Sequence, residues 1–206
     1  MDGQQDIYVV DDDEATRQSL GTLLDLEGYN VQSFDTGTAL LAALSPSSQG
    51  CVLLDVRMPG PDGLEVQETL LERGVGLPII IVTGHGNVPM AVRAMKMGAF
   101  DFIEKPYEAA SLLETVKRAL THDKNRRHGL LSTLPKEEIE RRITTLTPRE
   151  YDVMGGVVRG LMNKQIAGEL GISDRTVEIH RARVMEKMQA HSLADLIRLS
   201  VIAEEV

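Results

Sequence analysis

Residues 1–122 alternate between short, mostly apolar runs and segments whose apolar residues recur at helical spacing. A short apolar run predicts a buried parallel strand, and apolar residues three or four positions apart predict one face of a helix. The predicted strands are 7–10, 31–34, 51–54, 78–83 and 99–103, and the predicted helices are 15–27, 37–44, 64–72, 88–97 and one from about residue 108. This alternation predicts an α/β fold, a doubly wound five-stranded parallel sheet with right-handed crossovers.

The pattern changes after residue 145, where the apolar residues show helical spacing alone. Thr147, Pro148 and Glu150 supply an N-cap, a first-turn proline and a capping box, which together predict the start of a helix. Further helices are predicted at 163–170, at 174–188 and after Ser192. The three residues between the first two of these include a glycine, which is the helix-turn-helix pattern.

The segment 123–145 between the two patterns is polar and charged and contains Gly129 and Pro135. Such a composition predicts a linker, here with helical ends. We therefore predict a first domain at 1–122 and a separate all-α, four-helix domain at 146–206.

The net charge of −9 is concentrated in the first domain. Residues 1–122 hold 18 acidic and 8 basic residues, whereas 146–206 hold 9 and 8. Any contact of the second domain with DNA therefore depends on the local placement of basic residues.

A lone cysteine, Cys51, excludes an internal disulfide, and the polar N-terminus and the lack of a long apolar run argue against a signal peptide or a membrane span. A cytoplasmic protein without a membrane partner is expected.

Polar residues that could bind a ligand or take part in a reaction lie at the ends of four of the predicted strands. Asp11 and Asp12 follow the first, Asp55 the third, Thr83 ends the fourth, and Lys105 follows the fifth. In a sheet of order 2-1-3-4-5 the first and third strands are neighbours, so we expect three carboxylates to converge and to require a cation such as Mg²⁺. Asp55 can act as a nucleophile that forms an aspartyl phosphate, while Lys105 and Thr83 bind phosphate oxygens.

The motifs D-D, D-x-R-M-P-G-x-D-G, T-G-H-G and D-F-I-E-K-P make residues 5–122 resemble the receiver domain of two-component response regulators. The resemblance implies that Asp55 accepts phosphate from a sensor histidine kinase. It implies that Mg²⁺ is held by Asp55, by Asp12 directly, by Asp11 through water and by the backbone carbonyl of Arg57. It also implies that Phe102 is a switch aromatic that turns inward as Thr83 moves onto the phosphate.

The same resemblance points to a signalling surface formed by helix 88–97, strand 99–103 and the helix after Glu108. Val92 and Lys96 are the candidates for a phosphorylation-dependent dimer contact on it. Arg57 and His85 stand at positions that resemble those tuning phosphate lifetime in the family, although exposed loop residues are an equally good interpretation.

The motifs L-T-P-R-E, N-K-Q-I-A and I-S-x-R-T-V-x-x-H make the second domain resemble the LuxR/NarL-type helix-turn-helix, and the two halves together resemble FixJ-type regulators. Helix 174–188 would then enter the major groove of promoter DNA. Its predicted core face is Val177, Val184 and Met188. The residues expected to face bases are Glu178, Ile179 and Ala182, and those expected to contact phosphates are Lys164, Arg175, Thr176, Arg181, Arg183 and Lys187.

The last helix resembles the family's dimerisation helix, with Leu193, Ile197 and Val201 as contacts. The function implied is a transcriptional regulator that phosphorylation converts to a DNA-binding homodimer, with RNA polymerase as a further partner. Such a protein is not an enzyme, and any catalysis is limited to slow removal of its own phosphate.

Two alternatives stay open at the level of sequence. An aspartyl-phosphate phosphohydrolase would share the nucleophile and Mg²⁺, but it would need an acid two residues after Asp55, where this chain has Arg57. A phosphorylation-independent adaptor would instead use the second domain to bind a protein or RNA.

Overall fold

A computed structural model of the chain describes residues 4–84, 88–127, 135–190 and 193–204. Its elements are β1 Asp6–Val10, α1 Glu14–Leu26, β2 Asn30–Phe34, α2 Gly37–Ala43, β3 Cys51–Leu54, α3 Gly63–Glu72, β4 Ile79–Thr83, α4 Val88–Lys96, β5 Asp101–Glu104, α5 Ala109–Arg127, α6 Lys136–Thr144, α7 Pro148–Val158, α8 Asn163–Leu170, α9 Asp174–Met188 and α10 Leu193–Glu204. The chain divides into two compact units, Met1–Gly86 with Ala99–Leu131, and Asn87–Gly98 with Ser132–Val206.

The first unit is built on one parallel sheet with the strand order β2-β1-β3-β4-β5, so the predicted topology is confirmed. The central strands β3 and β4 are buried along their whole length, as the apolar runs predict. The edge strand β2 is largely exposed, which explains its more polar sequence. At the carboxyl end of the sheet, the last residues of β1 and β3, Val10 and Leu54, are paired in register. The residues that follow these two strands therefore start side by side.

One face of the sheet forms an apolar core with α1 and α5. Ile7, Leu53 and Ile80 from the strands pack with Leu24 of α1 and Leu112 of α5, and all five are almost completely buried. At about 25 cal/mol for each Å² of apolar surface removed from water, burial of this kind stabilises the unit.

The turn between β3 and α3 depends on a close approach of two backbone segments. A Cβ atom on Gly63 would lie 2.3 Å from the carbonyl oxygen of Asp55. Only glycine can therefore start α3 at this place. Asp62 caps the same helix with its side chain and forms a capping box with Glu65. The turn thus holds α3 directly against the backbone of Asp55.

The second unit contains the helix-turn-helix. The predicted capping box at the start of α7 is present, since Thr147 and Glu150 each accept the other's backbone N–H. Gly171 ends α8 in the left-handed conformation at φ 66°, and the Ser173 side chain caps α9. The face of α9 that carries Val177, Val184 and Met188 is buried in the second core, so the predicted core face of this helix is confirmed.

Helices α5 and α6 extend into the predicted linker. Helix α5 continues through Asp123, whose buried carboxylate accepts the backbone N–H of Gly50 at 3.1 Å. Helix α6 contributes Ile139, with no exposed surface, to the second core. Two residues of the predicted linker 123–145 are thus buried: Asp123 bonds the first unit and Ile139 packs into the second core. The domain limits stay a prediction.

Helix α4 belongs to the second unit, within which it contacts α10. The sequence predicts this helix within the first domain, at 1–122. Its apolar residues Val92 and Met95 are buried, while Lys96 is exposed. No helix in the described part of the chain is both long and apolar enough to cross a membrane.

Candidate functional site

Asp55 follows β3 and lies at the carboxyl end of the sheet. This residue is only 6% exposed, and its Oδ2 accepts the backbone N–H of Arg57 at 2.8 Å. Burial raises the pKa of this carboxyl; the ammonium of Lys105 opposes the shift and the negative charge of Asp11 adds to it. The protein thus keeps a carboxylate in a place where its charge is unfavourable.

Lys105 joins two buried carboxylates. Its Nζ lies 2.6 Å from Asp11 Oδ2 and 3.4 Å from Asp55 Oδ1. The backbone N–H of Lys105 also bonds the carbonyl of Thr83 at 2.9 Å, which places the side chain over the end of the sheet. Although burial opposes it, the two carboxylates raise the pKa of the Lys105 ammonium. We call Asp11, Asp55 and Lys105 the acidic site; it holds two negative charges against one positive charge.

The structure brings together two of the three carboxylates that the sequence placed there. Asp11 is 3% exposed, whereas Asp12 is exposed to solvent. No group of three or more acidic, histidine or cysteine side chains within residues 4–84, 88–127, 135–190 and 193–204 is arranged to hold a metal ion. Asp11 and Asp55 thus both contact the Lys105 ammonium, and the convergence of three carboxylates around a cation stays a prediction.

The two predicted switch residues lie on neighbouring strands. Thr83 ends β4 and has no exposed surface, and it pairs in register with Glu104 of β5. Phe102, two positions earlier on β5, is partly buried and pairs with Ile81. Both residues are thus near the same edge of the sheet as Lys105.

The face of α9 opposite the second core is open. Glu178, Ile179 and Ala182 are exposed, and Ile179 keeps 48% of its surface in water although it is apolar. Arg175 and Arg183 on α9 and Lys164 on α8 are also exposed. This face therefore combines a short row of small, apolar and acidic side chains with basic residues, as a helix that enters a DNA groove does.

Three other predicted phosphate contacts already have partners. Lys187 Nζ lies 2.6 Å from Oε2 of the buried Glu150 and 3.0 Å from the carbonyl of Thr145. Arg181 donates to Asn163 Oδ1 at 2.7 Å, and burial lowers the pKa of its guanidinium. The hydroxyl of Thr176 lies 2.8 Å from that of Ser173, its N-cap partner. The contacts of Lys187 and Arg181 hold α9 against α7 and α8, and that of Thr176 lies at the start of α9 itself.

Comparison with known proteins gives two family matches. Residues 7–117 match the response regulator receiver domain, and residues 144–200 match the bacterial regulatory proteins of the luxR family. The transcriptional regulatory protein FixJ of Bradyrhizobium diazoefficiens is 48% identical over 96% of this chain and 95% of its own length. The response regulator protein TodT of Pseudomonas putida is 41% identical, with 94% and 84% covered. The crystal structure of full-length FixJ from B. japonicum is similar at 47% identity, with a TM-score of 0.57 and 98% of both chains covered.

The chain is a FixJ-type response regulator. It is therefore a phosphorylation-activated transcriptional regulator with a receiver domain and a LuxR-type DNA-binding domain, and its partners are a kinase and DNA. Membership of this family makes it a regulator rather than the phosphohydrolase or adaptor that the sequence left open.

Three further residues lie around the receiver site. Asp13 is the N-cap of α1, since it accepts from the Ala15 N–H and the Thr16 hydroxyl. Arg17 donates to the carbonyl of Asp11 at 2.7 Å and so fixes the backbone beside the acidic site. Burial raises the pKa of the Tyr107 hydroxyl, which Lys105 and Asp11 also influence. A capping acid could be expected before any helix, but no local pattern marks Arg17 or Tyr107.

The predicted dimer contacts differ in exposure. Val92 and Ile197 are buried, with 5% and 0% of their surface exposed, whereas Leu193 and Val201 are partly buried and Lys96 is exposed. His85 and the capping residue Ser192 lie outside the described residues.

Proposed function

We propose that Asp55 is the residue that accepts the phosphoryl group in this FixJ-type regulator, with a sensor histidine kinase as the donor. The observation that carries this proposal is a buried carboxylate held at the end of β3 by the Arg57 N–H, with Lys105 Nζ at 3.4 Å. An oxygen of Asp55 would attack phosphorus, and the donor's histidine nitrogen would leave with the electron pair of the broken bond. Lys105 and Thr83 would then bind phosphate oxygens.

The acidic site fits a hard cation such as Mg²⁺. Asp11 and Asp55 are buried together and share a single ammonium, so an incoming phosphoryl group adds negative charge where an excess already exists. Carboxylate and carbonyl oxygens are the ligands that Mg²⁺ prefers. Asp11, the exposed Asp12, Asp55 and the Arg57 carbonyl would hold it, and the bound ion would neutralise charge on the phosphoryl oxygens.

Phosphorylation can be tested with acetyl phosphate and MgCl₂ in place of the unidentified kinase. We expect intact-mass spectrometry to show one added phosphoryl group on the wild type and none on Asp55→Asn. Asp35→Asn, which removes an exposed acid after β2, is the matched control and should be labelled like the wild type. Labelling of Asp55→Asn to the wild-type extent would contradict the proposal.

We also propose that the open face of α9 reads promoter DNA. Glu178, Ile179 and Ala182 would meet base edges in the major groove, and Lys164, Arg175 and Arg183 would contact phosphates. Arg181, Thr176 and Lys187 stay candidate DNA contacts, but their present partners support a role in fixing α9. RNA polymerase as a further partner and a cytoplasmic location stay predictions, as does slow removal of the phosphate by the protein itself.

The phosphate contacts have a measurable signature. Removing one phosphate contact lowers the dependence of log K on log salt by about one unit. We expect Arg183→Ala to weaken binding to every duplex and to reduce this slope, whereas Lys117→Ala, which removes an exposed charge from α5, should leave both unchanged. An unchanged slope in Arg183→Ala would remove Arg183 from the interface.

Dimerisation on phosphorylation is part of the same proposal. Lys96 is exposed on α4, and Leu193 and Val201 are partly exposed on α10. Val92 and Ile197 can take part only after they become exposed, since both are buried in the second unit. A change in the packing of these residues would therefore accompany dimerisation.

A further inference from the structure

The carboxyl end of α9 is fixed by a helix that lies almost entirely outside the matched luxR-family region. That region begins at residue 144, whereas α6 spans Lys136–Thr144. Ile139 of α6 is nonetheless fully buried in the same apolar cluster as Val184 and Met188 of α9. In this protein α6 is thus part of the packing that supports α9.

Arg142 of α6 makes the polar contact between the two helices. Its side chain is nearly buried, and its Nη1 donates to the carbonyl of Met188 at 2.9 Å. Its Nε donates to Glu138 Oε1 at 3.0 Å, which holds the guanidinium in place. The last four carbonyls of a helix lack partners within it, and a cation is favourable at that end.

The contact with Arg142 lies where the backbone of α9 ends. The chain leaves α9 through Gln189 in the left-handed conformation, with φ 53°. The N–H of Gln189 points to the carbonyls of Met185 and Glu186. The helix ends at this point, and the carbonyl of Met188 accepts from Arg142 Nη1.

We propose that Arg142 is a positioning residue for DNA sequence recognition, which it controls by fixing the carboxyl end of α9. Met188 and Ala182 are six residues apart, about 9 Å along a helix. A tilt that starts at Met188 therefore displaces the side chains that would meet bases. Base contacts require a fixed geometry, whereas long basic side chains can follow a phosphate through a small tilt. The proposal rests on the placement of α9 in the major groove.

The test uses the full-length protein treated with acetyl phosphate and MgCl₂. Wild type first selects sequences from a random-sequence duplex pool, and the enriched duplex and a shuffled version then serve as probes. Arg142→Ala should bind the enriched duplex about tenfold more weakly, with unchanged affinity for the shuffled duplex and an unchanged salt slope. When it selects from the same pool, its base preferences should be weaker.

Two variants control for charge and for folding. Arg141→Ala removes the neighbouring exposed arginine, which also pairs with Glu138, and should behave like the wild type. Arg142→Lys keeps a cationic donor in the same place and should recover most of the discrimination. Circular dichroism at the assay temperature measures the folded fraction of each variant.

The possible outcomes separate the proposals. Unchanged discrimination in Arg142→Ala would overturn the positioning role. Equal losses on both duplexes, matching the folded fraction, would also overturn it, since Arg142 would then serve only folding. In the same selection, wild-type base preferences in both Glu178→Ala and Ile179→Ala would instead overturn the placement of α9 on which the inference rests.

Discussion

Individual buried charges decide much of the chemistry of this regulator. In the receiver, Asp11 and Asp55 share the ammonium of Lys105, and the pKa of Asp55 is raised. In the second unit, Glu150 is buried but accepts from Lys187 and from the Thr147 N–H, which lower its pKa to about 2. The first carboxylate is thus destabilising in its resting state, as expected at a reactive position, and the second is stabilising.

We expect Asp55→Asn to unfold at a higher temperature than the wild type at pH 7. An acid with a raised pKa binds a proton more readily when folded, so its charge destabilises the fold at a pH above that pKa. The amide removes this charge, and Lys105 keeps Asp11 as a partner. The substitution should therefore increase the stability of the fold. The gain should shrink as the pH falls through the pKa of Asp55, and thermal unfolding followed by circular dichroism from pH 7 to pH 4 measures it.

Glu150→Gln should show the opposite pH dependence. A lowered pKa means that the ionised carboxylate stabilises the fold above its ordinary pKa of 4.5, and that this stability is lost as the pH falls toward 2. The variant should therefore be less stable than the wild type at pH 7, and the difference should close between pH 4.5 and pH 2. Urea unfolding at a series of pH values tests this. A difference that stays constant over this range would show that the ion pair with Lys187 does not stabilise the domain.

At the scale of elements, short turns position the residues of the two proposed sites. Helix α3 starts against the carbonyl of Asp55, and this contact leaves no space for a side chain at Gly63. Gly171 and Ser173 similarly end α8 and start α9 within three residues. In both cases a short turn determines the residue at which a helix next to a proposed site begins.

We expect Gly63→Ala to impair phosphorylation as well as stability. Its Cβ would also lie 2.8 Å from the Cα of Val56, so the backbone after Asp55 must move. The cost should exceed 1 kcal/mol, in the range for overpacked sites. Gly21→Ala in α1 is the control, because its Cβ would meet nothing within 4 Å and alanine favours a helix. Acetyl phosphate labelling and thermal unfolding should both separate the two variants; equal labelling would show that the turn tolerates the shift.

At the scale of the whole molecule, the receiver carries the excess negative charge and the second domain carries the DNA-binding face. Phosphorylation acts on the receiver and transcription depends on the second domain, so the effect of phosphorylation must be transmitted from one domain to the other. Self-association through α4 is the proposed route, with Lys96 as its exposed cationic contact.

We expect acetyl phosphate and MgCl₂ to shift the wild type from monomer to dimer. Lys96→Glu should be phosphorylated normally but stay largely monomeric, since it reverses a charge on the proposed surface. Lys117→Glu makes the same change on α5 and should dimerise. Light scattering coupled to size-exclusion chromatography measures the mass. If Lys96→Glu dimerises at the same protein concentrations as the wild type, the dimer contact does not include Lys96.

The sequence by itself determined the sheet, its strand order, the helix-turn-helix and the family, because hydrophobic periodicity and short motifs are local in the chain. It also placed Asp11, Asp55 and Lys105 at one edge, since parallel strands end together. It did not show that Lys187 holds Glu150, that Arg142 reaches Met188, or that Asp12 is exposed beside a carboxylate pair. The partners in these two hydrogen bonds are 37 and 46 residues apart in the sequence. The local sequence around a lysine or arginine that makes such a bond looks the same as that around one exposed to solvent. Only the tertiary structure decides which charged side chains hold α9 in place and which are exposed on its open face, because these contacts join residues that are distant in the sequence.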